Sequence, residues 1–116
     1  MSRRTQRLGE EIREGVAELL AHGLKDPRIG FVTVTRVDLT ADLRLARILV
    51  GILGTPKDRE KTLAGLEAAS GYVRRELGKR IRVRHVPEIT FIYDEGLDAT
   101  ERIAQILGGD PPKDEG

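Results

Sequence analysis

Ala69-Ser70-Gly71-Tyr72-Val73-Arg74-Arg75-Glu76-Leu77-Gly78-Lys79-Arg80-Ile81-Arg82 closes the longest helical pattern of the chain, and its first three residues decide the fold. Run unbroken over residues 57–82, the pattern would span about 39 Å at 1.5 Å per residue. A compact domain of this length is only about 35 Å across. The spacing therefore predicts a break. Ala69-Ser70-Gly71 is where it falls, because glycine costs roughly 1 kcal/mol in a helix interior and a Gly/Ser pair is a recognised cause of kinks. Two helices are expected to meet there.

On the N-terminal side, Gly54-Thr55-Pro56 supplies an N-cap threonine and a proline suited to the first helical position. Before it, Phe31 to Asp38 and Leu43 to Ile52 read as a β-hairpin closed around Thr40-Ala41-Asp42. In the second run Ala46, Ile48, Val50 and Ile52 alternate with Arg47, Leu49 and Gly51, giving one apolar face. In the first, Val32 and Val34 share a face that Val37 leaves, which predicts a bulge near Arg36. Thr5 to about Leu24 carries Leu8, Ile12, Val16, Leu19 and Leu20 at helical spacing. Lys25-Asp26-Pro27-Arg28 ends that helix, since the residue before a proline is driven out of the helical region.

On the C-terminal side, Pro87 blocks continuation and Glu88 to Tyr93 alternates as a third strand. Leu97 to Leu107 reads as a short last helix with Ile103, Ile106 and Leu107 as its stripe. Residues 108–116 lack an apolar anchor and are expected to form a flexible tail behind a single domain of residues 1–107. Three strands with one apolar face require the helices on that face, an α+β arrangement.

The chain of 116 residues is 39% hydrophobic and 34% charged, as befits one globular core with an ionised surface. No apolar run approaches the roughly 18 residues that span a bilayer. The basic start runs into an amphipathic pattern without a signal-peptide core, so no membrane contact and a cytoplasmic location are expected. Having no cysteine excludes disulfides, thiolate zinc sites and cysteine nucleophiles. The net charge of +1 hides an asymmetry. Residues 71–86 set six cations against Glu76 alone, a net of +5, whereas residues 87–116 set two cations against eight carboxylates, a net of −6.

On a helical wheel with Arg74 at zero, Val73, Leu77 and Ile81 fall between about 260° and 340° and form the core stripe. The opposite arc holds Gly78 at about 40°, Gly71 at about 60°, Arg82 at about 80°, Arg75 at about 100° and Lys79 at about 140°. Cations neutralise phosphates and release counterions, and glycine lets a sugar-phosphate backbone come close. The same face would also serve as a merely solvated one. The net of +5 and the paired glycines favour RNA.

The order α-β-β-α-α-β, with a short C-terminal helix, is that of a type II KH-like domain, in which a GxxG loop between two helices clamps nucleic acid. Gly51-Ile52-Leu53-Gly54 matches GxxG but stands between a strand and a proline-started helix, the wrong place for that loop. At the helix junction stands Ala69-Ser70-Gly71. A KH-like fold with an Ala-x-Gly kink at that position resembles the ribosome-binding factor A family. Asp26-Pro27-Arg28-Ile29-Gly30, Asp42-Leu43-Arg44-Leu45-Ala46-Arg47-Ile48, Leu77-Gly78-Lys79-Arg80-Ile81-Arg82 and Pro87-Glu88-Ile89-Thr90-Phe91 resemble its segments in order, from about Arg3 to Leu107. After them Gly96 stands where the family often has serine. The resemblance implies a monomer without cofactor that binds the small ribosomal subunit and its precursors through 16S rRNA, takes part in late rRNA processing and supports growth in the cold. Carried over residue by residue, it implies a kink at Ala69, Ser70 and Gly71. It also implies an RNA surface at Ser70, Gly71, Arg74, Arg75, Gly78, Lys79, Arg80, Arg82 and Arg84, joined by Arg3, Arg4 and Arg7 of the first turn.

Three other readings compete. Asp94, Glu95 and Asp98 could hold magnesium for phosphodiester cleavage, yet acids before a helix are ordinarily capping groups. His22 and His85 lie far apart with no nucleophile motif, and there is no GxxxxGK phosphate loop, so no enzyme is expected. A basic helix could meet an acidic protein partner instead of RNA. A general single-strand RNA binder would need stacking platforms, and Phe31, Tyr72, Phe91 and Tyr93 are the few aromatics present.

Overall fold

The structure is a computed structural model describing residues 3–22 and 24–95. The expected last helix over 97–107, the tail over 108–116 and Asp98 lie outside the described residues. Five elements follow in order: α1 (Arg3–His22), β1 (Val32–Leu39), β2 (Leu45–Ile52), α2 (Pro56–Arg80) and β3 (Glu88–Tyr93). The strands form one sheet in the order β1-β2-β3. β1 pairs with β2 antiparallel, and β2 with β3 parallel.

The central strand carries the core. Ala46, Ile48, Val50 and Ile52 face Leu8, Ile12, Val16 and Leu19 of α1 and Leu66, Val73 and Leu77 of α2, in one cluster of buried side chains with Ile89 and Phe91. The bulge expected in β1 is present: Val34 pairs with Val50 but Arg36 pairs with Leu49, leaving Thr35 extra. Parity demands it, because Val34 before the bulge and Val37 and Leu39 after it all pack on the same core. The Thr35 hydroxyl lies 3.1 Å from the Leu49 carbonyl and 2.6 Å from Asp94 Oδ2. Asp94 is thereby buried against the sheet.

α2 starts as its sequence dictates. Thr55 is the N-cap, its hydroxyl accepting from Asp58 N at 3.1 Å while the Asp58 carboxylate accepts from Thr55 N at 2.9 Å, with Pro56 next in line. This reciprocal box satisfies two orphan donors of the first turn, and those bonds hold the Asp58 carboxyl below its ordinary value.

The break expected at Ala69-Ser70-Gly71 does not occur. α2 is continuous for 25 residues, or about 38 Å, so the element order is α-β-β-α-β. The size argument assumes an equidimensional domain, but the molecule measures 48 × 33 × 20 Å and its long axis accommodates the whole helix. Leu66, Val73 and Leu77 are buried on both sides of the glycine. Burying a side chain of this size contributes about 1.5–3 kcal/mol, against roughly 1 kcal/mol for the helical glycine. Ser70 stays bonded within the helix, donating to the Glu67 carbonyl at 2.8 Å.

Two glycines set how closely the elements approach. A Cβ on Gly15 of α1 would sit 2.6 Å from Leu77 Cδ2, and one on Gly65 of α2 would sit 2.7 Å from Ile29 Cγ1. Gly71, by contrast, has nothing within 4 Å of where its Cβ would be. The two kinds of glycine should respond oppositely to alanine. Gly15→Ala should lose about 1 kcal/mol, since overpacking a fully buried leucine exceeds the gain in helix propensity. Gly71→Ala should gain about 0.5–1 kcal/mol. Urea denaturation of the two variants beside the parent checks both signs.

Candidate nucleic-acid interface

The basic stretch divides into scaffold and free surface. Val73, Leu77 and Ile81 are buried as the core stripe, which turns Arg75 and Lys79 outward. The helix ends at Arg80, with Ile81 as its extended C-cap donating to the Leu77 carbonyl at 3.0 Å. Arg82 therefore leaves the helical arc and joins Arg84 and His85, all exposed, on the segment that leads to buried Pro87.

That segment folds back onto α2. Arg74 donates from Nε and Nη2 to the Val86 carbonyl at 3.1 and 2.9 Å. One turn on, a Cβ on Gly78 would meet Val86 Cγ2 at 3.2 Å. Arg74 and Gly78, expected on the RNA face, thus also hold the returning loop, with Val86 packed close beside Gly78 while both residues stay exposed. Two of the five guanidinium donors of Arg74 are spent on this contact.

The other cations have different surroundings. Arg80 points to α1 and pairs with Glu18 across the helix interface. Lys79 bonds Glu76 Oε2 at 3.0 Å, but its side chain is 73% exposed. An exposed pair of this kind is worth about 0–1 kcal/mol, so a phosphate can displace the carboxylate. Arg75, Arg82 and Arg84 make no ion pair among the described residues and are exposed. Ser70 is half-buried and Gly71 exposed under open space. Gly71, Arg75 and Lys79 consequently share an outward face, continued by Arg82 and Arg84.

The first-turn arginines stand elsewhere. Arg3, Arg4 and Arg7 are exposed and line a shallow depression with Gln6 and Glu10. Thr5, Gln6 and Gly9 border Thr35 to Leu39 of β1, whereas the basic end of α2 meets α1 at Gly15 and Glu18. Among the described residues no three His, Asp or Glu side chains are grouped to hold a metal. Asp94 accepts from Thr35 inside the fold, so this member of the acidic trio has a structural partner. No helix of the described residues is long and apolar enough to cross a membrane.

The family model of ribosome-binding factor A matches residues 4–107. The chain belongs to the ribosome-binding factor A family. It is 48% identical over 104 residues to the ribosome-binding factor A of Brevibacillus brevis, covering 90% of this chain and 86% of that one. Its fold is that of solved family structures. The solution NMR structure of a Thermotoga maritima protein proposed as a ribosome-binding factor A superposes with a TM-score of 0.70 at 40% identity, over 81% of this chain and 90% of that one. A homology model of the Thermus thermophilus ribosome-binding factor A, as fitted into a cryo-EM map of its complex with the 30S subunit, gives 0.64 at 26% identity, over 78% and 94%. Members of the ribosome-binding factor A family thus share this α-β-β-α-β scaffold.

Thr62 is invisible to sequence reasoning. It is 2% exposed, bridging Gly30 N at 3.2 Å and the Arg28 carbonyl at 3.3 Å, but a threonine beside Lys61 reads as a surface residue. The division among the cations gives a direct test. Arg74→Ala should lose about 1–2 kcal/mol of stability, because it removes two charge-assisted bonds to Val86. Arg75→Ala should change it by less than about 0.5 kcal/mol. Denaturation midpoints of the two single variants distinguish the strut from the free cation.

Proposed function

We propose that this chain is a cytoplasmic, monomeric maturation factor of the small ribosomal subunit that binds 16S rRNA by α2 and the segment after it. It assists late rRNA processing, supports growth in the cold, and acts by binding, without catalysis or cofactor. The observation that carries this reading is the outward face on which Gly71, with open space above it, adjoins Arg75 and Lys79, with Arg82 and Arg84 beyond the helix end. The Thermus thermophilus relative fitted into a 30S complex supports the choice of partner. Each cation that neutralises a phosphate releases counterions, so binding through such a face weakens steeply as salt rises. The family motif at residues 69–71 acts here without a helix break: it leaves a bare patch in a continuous helix, which backbone atoms of RNA can approach.

Arg75→Glu with Lys79→Glu should leave the fold intact, since both side chains are exposed. Binding to purified small subunits should weaken, and the slope of log K against log salt should become shallower by about 0.7–0.9 for each phosphate no longer neutralised. Gly71→Leu should bind less tightly while being no less stable, since its side chain would occupy the open space. A salt titration of binding beside a denaturation curve reads both. Unchanged affinity and slope in the charge-reversed variant would place the RNA surface elsewhere.

A further inference from the structure

Phe31 is the most exposed large hydrophobic side chain of the described residues, at 54%. Its backbone is tied down on both sides. On one side Gly30 N donates to buried Thr62 at 3.2 Å, and on the other the Phe31 carbonyl accepts from Leu53 N at 3.2 Å. The loop beneath is seated on α2 at Gly65, where Ile29 leaves no room for a side chain. Asp26 accepts from Arg28 N at 2.9 Å and from Arg28 Nε and Nη2 at 3.0 and 2.6 Å, closing the loop on itself. Those bonds draw the Asp26 carboxyl down to about 2, so it stays ionised at neutral pH.

We infer that Phe31 is a preorganised stacking platform for one unpaired nucleobase of the bound rRNA. The inference rests on the RNA-binding reading above and extends the interface from the basic end of α2 to its N-terminal half. Size selects the ligand. A stable protein interface buries about 800 Å² per partner around a cluster of anchors, and a single exposed ring next to Gly30 offers nothing of that extent. One ring face suits one base, and every base has a π-face to offer. Rigidity matters because a platform already held in place loses little entropy on binding. Thr62, to which the loop is bonded, lies 13 residues before Arg75 on the same helix, about 20 Å along its axis, within reach of one RNA strand.

The sequence contains no tryptophan, so Phe31→Trp introduces a single reporter where the ring stands. Its fluorescence should be quenched by protein-free 16S rRNA as well as by intact small subunits. Phe31→Ala should weaken subunit binding about tenfold or more at every salt concentration, with unchanged salt slope, because stacking releases no phosphate counterions. Phe31→Trp should bind as tightly as the parent. If Phe31→Ala binds normally while Arg75→Glu with Lys79→Glu weakens binding and flattens the slope, the platform is overturned and the RNA reading stands. Quenching by intact subunits but not by protein-free rRNA would also overturn it, in favour of a ribosomal protein at this position. If neither set of variants alters binding, the RNA reading itself fails and the platform with it.

Discussion

The structure depends on the parallel pairing of β2 with β3. Strands that follow one another in an antiparallel ladder need only a turn, as between β1 and β2, but parallel neighbours need the chain carried back across the sheet. α2 is that return. The strands it connects have eight and six residues, about 20–26 Å of extended chain. A helix of 25 residues is half as long again. The chain leaves the helix at its basic end, and a segment from Ile81 to Pro87 brings it to β3. Arg74 and Gly78 hold that segment down. The exposed Arg75 and Lys79 stand on the outer face of that crossover, opposite the buried Val73, Leu77 and Ile81.

Within that end, chemically similar residues do different work, and burial and partners separate them. Arg74 is bonded to a backbone carbonyl, Arg80 to Glu18 of α1, and the exposed Lys79 to a half-buried glutamate. Arg75, Arg82 and Arg84 remain unpaired by the described residues. The glycines divide likewise. Gly15 and Gly65 exist for close packing, Gly78 is exposed but has Val86 close beside it, and Gly71 alone of these four has open space above it. A helical wheel cannot make this distinction, since it knows the angle of a residue but not what the rest of the chain lays over it.

Much of the fold is legible in the sequence because it follows from local rules. The Thr55-Pro56 start, the core alternation of β2, the full extent of β3 and the bulge near Arg36 each follow from a parity or capping constraint within a few residues. The helix break is a false expectation because it comes from a global dimension, and a spherical domain is the wrong shape. Arg74, Arg80, Gly78 and Thr62 escape a sequence reading for the opposite reason. Their partners are Val86, Glu18 and the loop at residues 28–30, all distant in sequence for Arg80 and Thr62, and reached for Arg74 and Gly78 only when the chain folds back. Asp94 belongs with them, since Thr35 stands 59 positions away.

Charge is the last point at which a whole-chain quantity misleads. A net charge of +1 suggests no attraction to nucleic acid, yet at physiological ionic strength fields are screened over about 8 Å. The molecule extends 48 Å along its major axis, so a phosphate at the end of α2 senses the cations there and little of what is farther away. The same short range limits what those cations can do. A few exposed arginines and a lysine supply attraction to any phosphate backbone and carry no information about which one. If the chain binds RNA as proposed, selection among RNAs falls to features that depend on shape: the bare patch over Gly71, the loop that Arg74 holds against α2, and the exposed ring of Phe31. Rigidity would contribute to such recognition, because a surface that cannot adjust accepts only the RNA geometry that already fits it.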